Sequence, residues 1–218
     1  MKARRSILAL ALGLASAAAA QPFEGVVTYQ ASRAGAKAQA FQVSIGHGCW
    51  RIDALGPRAG QGAAIVDPRN HSTVILMAAR KGYVRQAYLP RDPRSSSQGK
   101  AEVRPTGKTA IVAGYKTEEW AVNDHGTRAS FWATKDLGSM DFSMDQGAQG
   151  QSDGLEFPDE LRSGGYFPLR VVSHGQHPAT LEAIRVEAKA LEAGLFQPPP
   201  DYKELARRPL NGPANGGN

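Results

Sequence analysis

Among 218 residues there is a single cysteine, Cys49. That count excludes an intramolecular disulfide and a cysteine-built metal site. It leaves two readings of Cys49, a buried inert thiol or a reactive, dimer-forming one. Aromatic residues make up only 7% of the chain, so each of the tryptophans, Trp50, Trp120 and Trp132, is a conspicuous feature of its strand. Beyond the first twenty positions no apolar run approaches the roughly 20 residues that a membrane-crossing helix needs. Positive charge is scarce too, once its position is considered. The formal charge is +6, but Lys2, Arg4 and Arg5 crowd the very start, and the excess that remains is too small to mark a nucleic-acid-binding protein.

Catalytic and ligand motifs are also missing. Thr106-Gly107-Lys108-Thr109 looks like the end of a phosphate-binding loop, yet Glu102 stands where the first glycine belongs and a strand follows instead of a helix. His174 and His177 have the spacing of a metal pair, but at a strand end they point to opposite faces, and Pro178 follows, as in a loop turn. His47, His71 and His125 fall in turns, where a solvated histidine is common and a metal site would need three loops to converge. No G-x-S-x-G elbow surrounds Ser44 or Ser163. Glu118 and Glu119 are neighbours on one strand and face opposite ways, so they cannot flank a bond together. No cofactor, metal or catalytic residue is assigned.

What is present begins with export. Lys2, Arg4 and Arg5 precede Ile7-Leu8-Ala9-Leu10-Ala11-Leu12 and then Ala18-Ala19-Ala20, the charged start, apolar middle and small-residue exit of a secretory signal peptide. The expectation is cleavage near Ala20-Gln21 and release into the periplasm or medium. No cysteine stands at the cleavage point to carry a lipid, and the mature chain has no transmembrane segment. The chain then divides into residues 1–20 as leader, 21–205 as one domain and 206–218 as a disordered tail of Pro, Gly and Asn. A domain of about 200 residues buries about 70% of the surface its unfolded chain exposes, enough to fold without staples.

Two-residue periodicity runs through Phe23–Gln30, Gln39–Ile45, Cys49–Leu55, Ala63–Asp67, Thr73–Met77 and Gly82–Leu89, separated by Gly, Pro, Asn and Asp, which predicts an antiparallel meander. In the third segment Trp50, Ile52 and Ala54 point one way, and Arg51 and Asp53 point to a wet face. Thr73 to Ala79 does not alternate, so both faces of that strand should be covered. After the polar stretch 91–99, strands resume at Thr109–Ala113, Tyr115–Val122, Thr127–Thr134, Tyr166–Ser173 and Thr180–Ala190, with Ile184, Val186 and Ala188 on one face of the last. Between them, Asp136 to Arg162 changes period and predicts two short helices or a lid.

Several of these stretches carry a resemblance. Gly48-Cys49-Trp50-Arg51-Ile52-Asp53, Ile65-Val66-Asp67, Thr73-Val74-Ile75-Leu76, Lys81-Gly82-Tyr83, Thr109 to Lys116 and Trp132 to Gly138 resemble a family of secreted bacterial proteins that is a domain of unknown function. That family in turn resembles the periplasmic lipoprotein carriers (LolA/LolB-like), whose ending is similar to Leu195-Phe196-Gln197-Pro198-Pro199-Pro200-Asp201-Tyr202. The resemblance implies a mainly β fold, a strongly curved antiparallel sheet forming an incomplete β-barrel covered by a few short helices. It also implies an apolar hollow that in some of the wider group holds acyl chains. Thr117 stands where relatives often have cysteine, and no carrier binding residue maps onto this chain.

Three functions follow as alternatives. The first is a non-enzymatic periplasmic protein binding an apolar ligand, such as a lipid or lipoprotein acyl chain, under the lid, with Trp50, Trp120 and Trp132 as its candidate ligand-binding residues. The second is a solid-cored module that docks another envelope protein. The third is a hydrolase built from converging loops.

Overall fold

The computed structural model describes residues 23–87, 101–124, 126–138, 157–175 and 178–206. Its strands are β1 (Gly25–Arg33), β2 (Gln39–Gly46), β3 (Cys49–Ala54), β4 (Gly62–Asp67), β5 (Ser72–Met77), β6 (Gly82–Ala87), β7 (Glu102–Val112), β8 (Tyr115–Asp124), β9 (Thr127–Thr134), β10 (Phe167–Ser173), β11 (Ala179–Ala188) and β12 (Lys203–Glu204), with one short helix, α1 (Asp159–Ser163). They form a single open, curved sheet in the order β12-β6-β5-β4-β3-β2-β1-β11-β10-β9-β8-β7. The predicted meander is β1 to β6. Every pairing is antiparallel except the last, where β12 runs parallel to β6. Two hairpins turn over His47-Gly48 and Ala113-Gly114, with φ of 53° and 69° and of 48° and 88°. Positive φ at both central residues is what a tight turn matched to strand twist requires.

The inner face of the sheet carries the main core. Val27, Tyr29, Val43, Trp50, Ile52 and Val66 come from β1 to β4, and Phe167, Leu169 and Ala183 from β10 and β11. Each fully buried side chain of this size contributes about 1.5–3 kcal/mol. The tip of the β7–β8 hairpin supplies Val112, Ala113 and Tyr115 to the same cluster, and Leu137 joins from the segment after β9. Phe23 meets Phe167 edge-on at 5.3 Å, and Tyr29 stacks on Phe41 at 5.6 Å. The Tyr29 hydroxyl donates to the Pro168 carbonyl at 2.9 Å. Burial holds that phenol far above its ordinary titration range, so it stays a donor.

A second cluster joins Val122, Ala129, Phe131 and Ala133 to Phe157, Leu161 and Tyr166. Helix α1 has Asp159 and Glu160 in its first turn and Arg162 in its last, the favourable order for the helix dipole. At five residues it is too short to stand alone, and it is held by the buried Leu161.

A third cluster lies on the opposite, outer face. Cys49, Ala63, Ile65, Val74 and Leu76 are covered there by Phe196, Leu191, Leu195 and Tyr202 from the C-terminal segment. This explains why β5 does not alternate: Thr73 faces inward beside Val66, while Val74 and Leu76 face outward beneath that segment.

Several expectations need correction. Arg51 and Asp53 do not lie on a wet face; both are half-buried, because the C-terminal segment crosses that side. Strand β7 starts at Glu102 rather than Thr109, reaching past Pro105 through a bulge between Pro105 and Thr109. Ile184 does not share a face with Val186. The ladder skips it opposite Thr28 and Tyr29, and it is 53% exposed. Of the two helices expected over Asp136 to Arg162, α1 is the described one; residues 139–156 lie outside the described residues, as do the leader and residues 207–218.

Tyr29→Phe keeps the ring packing and removes the only donor that the Pro168 carbonyl receives from Tyr29. The expected loss is about 1–3 kcal/mol of unfolding free energy, the cost of an unsatisfied buried acceptor. Urea unfolding followed by tryptophan fluorescence measures it. An unchanged midpoint would mean that the carbonyl finds another donor.

Candidate binding surfaces

The three tryptophans do not converge. Trp50 lies in the main core at 4% exposure. Trp120 borders the second cluster, edge-on to Tyr166 at 5.3 Å. Trp132 pairs with Glu119 and Arg170 on the opposite face to Phe131, with the Arg170 guanidinium 5.8 Å from its ring centre and Glu182 accepting from Arg170 at 2.9 Å. The main core does not leave a hollow between them, since Val27, Val43, Val66, Phe167 and Leu169 are all at 0% exposure.

Concavity is found instead on the outer face, where the C-terminal segment is strapped across β3 to β6. The strap is anchored early. Lys189 N–H donates to the Glu24 carbonyl at 3.1 Å, and Leu191 N–H donates to the Glu24 carboxylate at 2.9 Å. The Leu191 carbonyl lies 2.7 Å from His47 Nε2, and Arg51 Nη1 donates to the Leu195 carbonyl at 3.2 Å. A 3-10 turn at Ala193–Phe196 then drives the Phe196 ring onto the sheet. Beyond the three prolines, Lys203 and Leu205 N–H groups donate to the Lys81 and Tyr83 carbonyls at 3.0 and 2.8 Å. Lys81 pairs with Asp201 at 3.2 Å, and Tyr83 donates to Glu204 at 3.2 Å.

Between the two anchored ends the strap leaves an open groove of about 500 Å³. Its floor is Ile65, Val74 and Phe196, one wall is Pro198 to Pro200 and Tyr202, and its polar rim is Asp67, Asn70, Ser72, Tyr83 and Arg85. Asp67 is locked by its own turn: its carboxylate accepts from the main-chain N–H of Arg69 and Asn70 and from the Asn70 side chain. Partial burial works to raise its pKa, but those bonds and the Arg69 charge outweigh it and hold the carboxyl below the usual range. Beneath the strap Cys49 is 5% exposed. Burial pushes its thiol up, against the opposing contact with Arg69 at 3.6 Å, so it is protonated and unreactive.

One polar cluster was not foreseen from the sequence. Glu119, 7% exposed, accepts from Thr106 Oγ1 at 2.7 Å and pairs with Lys108 Nζ at 3.1 Å. Ser130 lies near Glu119 and helps to hold its pKa down, and Ser130 Oγ sits 3.1 Å from His174 Nε2. A serine beside a histidine invites a nucleophile reading. Here, however, the nearby carboxylate lies on the serine side, and among the described residues no carboxylate is hydrogen-bonded to His174 to orient it as a base. The Lys108 of the phosphate-loop lookalike is occupied by Glu119, in the β7 bulge. Burial alone would raise the Glu119 pKa, but the contacts with Thr106 and Lys108, helped by the neighbouring Ser130, prevail and lower it. Among the described residues no group of three or more His, Cys, Asp or Glu side chains could hold a metal ion, and no helix is long and apolar enough to cross a membrane.

The groove residues escaped the sequence reading for a specific reason. The spacing of Tyr83 and Arg85 does place both on one face of β6, but nothing local reveals that the chain's own end crosses that face.

An open curved antiparallel sheet, padded on the inside by its own hairpin tip and on the outside by its own C-terminal strap, defines an incomplete-barrel protein. The chain belongs to the family described as Domain of unknown function (DUF4412), which matches residues 23–202. No curated protein matches it. Among solved structures it is similar to PNGF-II in a C2 crystal (17% identity, TM-score 0.46, 83% of this chain and 30% of that one). It is also similar to MucB in complex with MucA(peri) (15% identity, TM-score 0.44, 82% and 55%). A LolA superfamily protein from Nitrosomonas europaea matches at 9% identity and TM-score 0.34, over 82% and 90%. The chain thus spans about a third of PNGF-II and about half of MucB.

Two outcomes follow from this geometry. Phe196→Ala should loosen the strap, lowering the cost of local opening by about 2–4 kcal/mol, so that Cys49 reacts with a thiol reagent at least tenfold faster while the fold persists by circular dichroism. For Glu119, the folded pKa lies below the reference value of 4.5. Its stabilisation is therefore complete above that pH and is lost as pH falls through the folded value. Chemical denaturation across acid pH should show Glu119→Gln less stable than the native chain at neutral pH, with the gap narrowing on acidification.

Proposed function

We propose that the chain is a non-catalytic binding protein of the bacterial periplasm, delivered there by its leader, whose sheet is a rigid frame for docking another envelope protein. The observation that carries this reading is the tightly packed main core on the inner face. Side chains that a carrier would hold apart around a ligand are here packed against one another with no exposure at Val27, Val43, Val66, Phe167 and Leu169. The sheet's concavity lies outside, in an open groove with a polar rim, a form suited to a polypeptide rather than to an enclosed acyl chain. The Ser130–His174 pair supports no hydrolase, because its carboxylate neighbour is on the serine side.

A second reading keeps the apolar ligand. On the inner face of β4 to β6, Ala64, Ile75, Met77 and Val84 form a half-exposed apolar row, and Trp50 stands on the same face of β3. A lipid or lipoprotein acyl chain laid on that row would gain about 0.8 kcal/mol per buried methylene. Trp50 is the tryptophan placed to border it; Trp120 and Trp132 would need separate sites.

Native mass spectrometry of the protein purified from its own periplasm without detergent, followed by organic extraction, separates the two. The docking reading expects a bare polypeptide mass that stays bare after incubation with lipid. A stoichiometric lipid-sized adduct would overturn it in favour of carriage.

A further inference from the structure

Resting on the docking reading, we propose that the groove under the C-terminal strap is the docking site, that its occupant is an extended acidic segment of the partner protein, and that Arg85 is the anchoring charge. Shape argues for an extended chain. The groove is open to the surface, with an apolar floor of Ile65, Val74 and Phe196 and a stiff wall of three consecutive prolines. Aromatic and proline-lined grooves of this kind take extended peptides, whose main chain needs no deep pocket.

Charge argues for the acidic character. Arg85 lies on the groove rim and is exposed. Its guanidinium rests 5.8 Å from the Tyr83 ring centre, and among the described residues it has no ion pair. The acids nearby are already committed. Asp67 is taken by its turn, Asp201 by Lys81 and Glu204 by Tyr83. Each of these carboxylates keeps its charge but already has a hydrogen-bond or ion-pair partner, whereas Arg85 is the one cationic side chain lining the groove among the described residues. A guanidinium laid on an aromatic ring keeps its fork available for a carboxylate.

The chain's own stretches that follow β6 and β12 are poor occupants by charge. The sequence that leaves β6 after Ala87 carries Arg91, Arg94 and Lys100 against Asp92, and the sequence after Ala206 carries Arg207 and Arg208 and no acid. Both stretches are net basic, so neither complements Arg85. An exposed guanidinium on the groove rim favours an acidic segment over a basic one.

The test is fluorescence anisotropy with the purified chain and two short labelled peptides, one alternating glutamate with valine, the other lysine with valine. The acidic peptide should bind and the basic one should not, and added salt should weaken the complex because the anchoring charge is exposed. Arg85→Glu should weaken acidic-peptide binding at least tenfold, whereas Arg128→Glu, an exposed change on β9, should leave it within twofold. Thermal melts confirm that both variants fold. Equal binding of the two peptides, no binding of either, or indifference to Arg85→Glu overturns the proposal. So does Arg85-dependent flotation with phosphatidylglycerol vesicles in the absence of peptide binding, which would make the ligand a membrane surface. In the case of no peptide binding, a bare mass together with crosslinking to an envelope protein at another surface leaves the docking reading standing and removes only the groove. A lipid adduct removes the docking reading itself.

Discussion

Strand β1 pairs with β11 from Gly25 opposite Ala188 to Arg33 opposite Ala179, and with β2 on its other side. It is the seam where the N-terminal meander meets the C-terminal strands, and without it there would be two small sheets, each with an exposed apolar face. The seam also runs through the main core, since Val27 and Tyr29 on β1 cluster with residues from both halves. Long-range pairing of this sort pays its loop-closure entropy before any contact rewards it. The phenol of Tyr29, reaching Pro168 across that seam, gives the joint a directional lock in addition to its apolar contacts.

The strands were legible wherever one face is buried and the other is not, because a two-residue period is a local property. β2, β3, β4 and β9 begin and end close to where alternation and turn residues placed them. β7 begins earlier than the strand expected from Thr109, because Pro105 and Gly107 interrupt the strand pattern while the structure absorbs them in a bulge at the sheet edge, where a missing donor costs least. Ile184 was misjudged because a single skipped residue flips the face of everything beyond it. The groove was illegible for a different reason. Tyr83, Arg85 and Tyr202 meet only because residues more than a hundred positions apart share the outer face.

The two faces of the sheet have different roles. Inside, hairpin tip, Leu137 and aromatic pairs pack the main core, and a packed interior of that kind resists deformation. Outside, polar anchors and a few rings hold a strap that leaves working room beneath it. The Glu119 cluster belongs to the frame: it ties the bulge of β7 to β8, β9 and the end of β10 and stops the free edge of the sheet from fraying. Its lysine and the proline in the same strand also blunt that edge against pairing with another molecule.

The strap has a consequence in time. The meander β1 to β6 is complete once the first 87 residues exist, yet the outward side chains of β3 to β5 meet their cover only when Leu191 to Tyr202 arrive. During synthesis, or threading through any narrow passage, β4 and β5 show apolar side chains on both faces until that segment arrives. The molecule therefore cannot mature progressively from its N-terminus. It closes late and as a unit, and a chain shortened by even its final thirty residues would end with its stickiest surface bare.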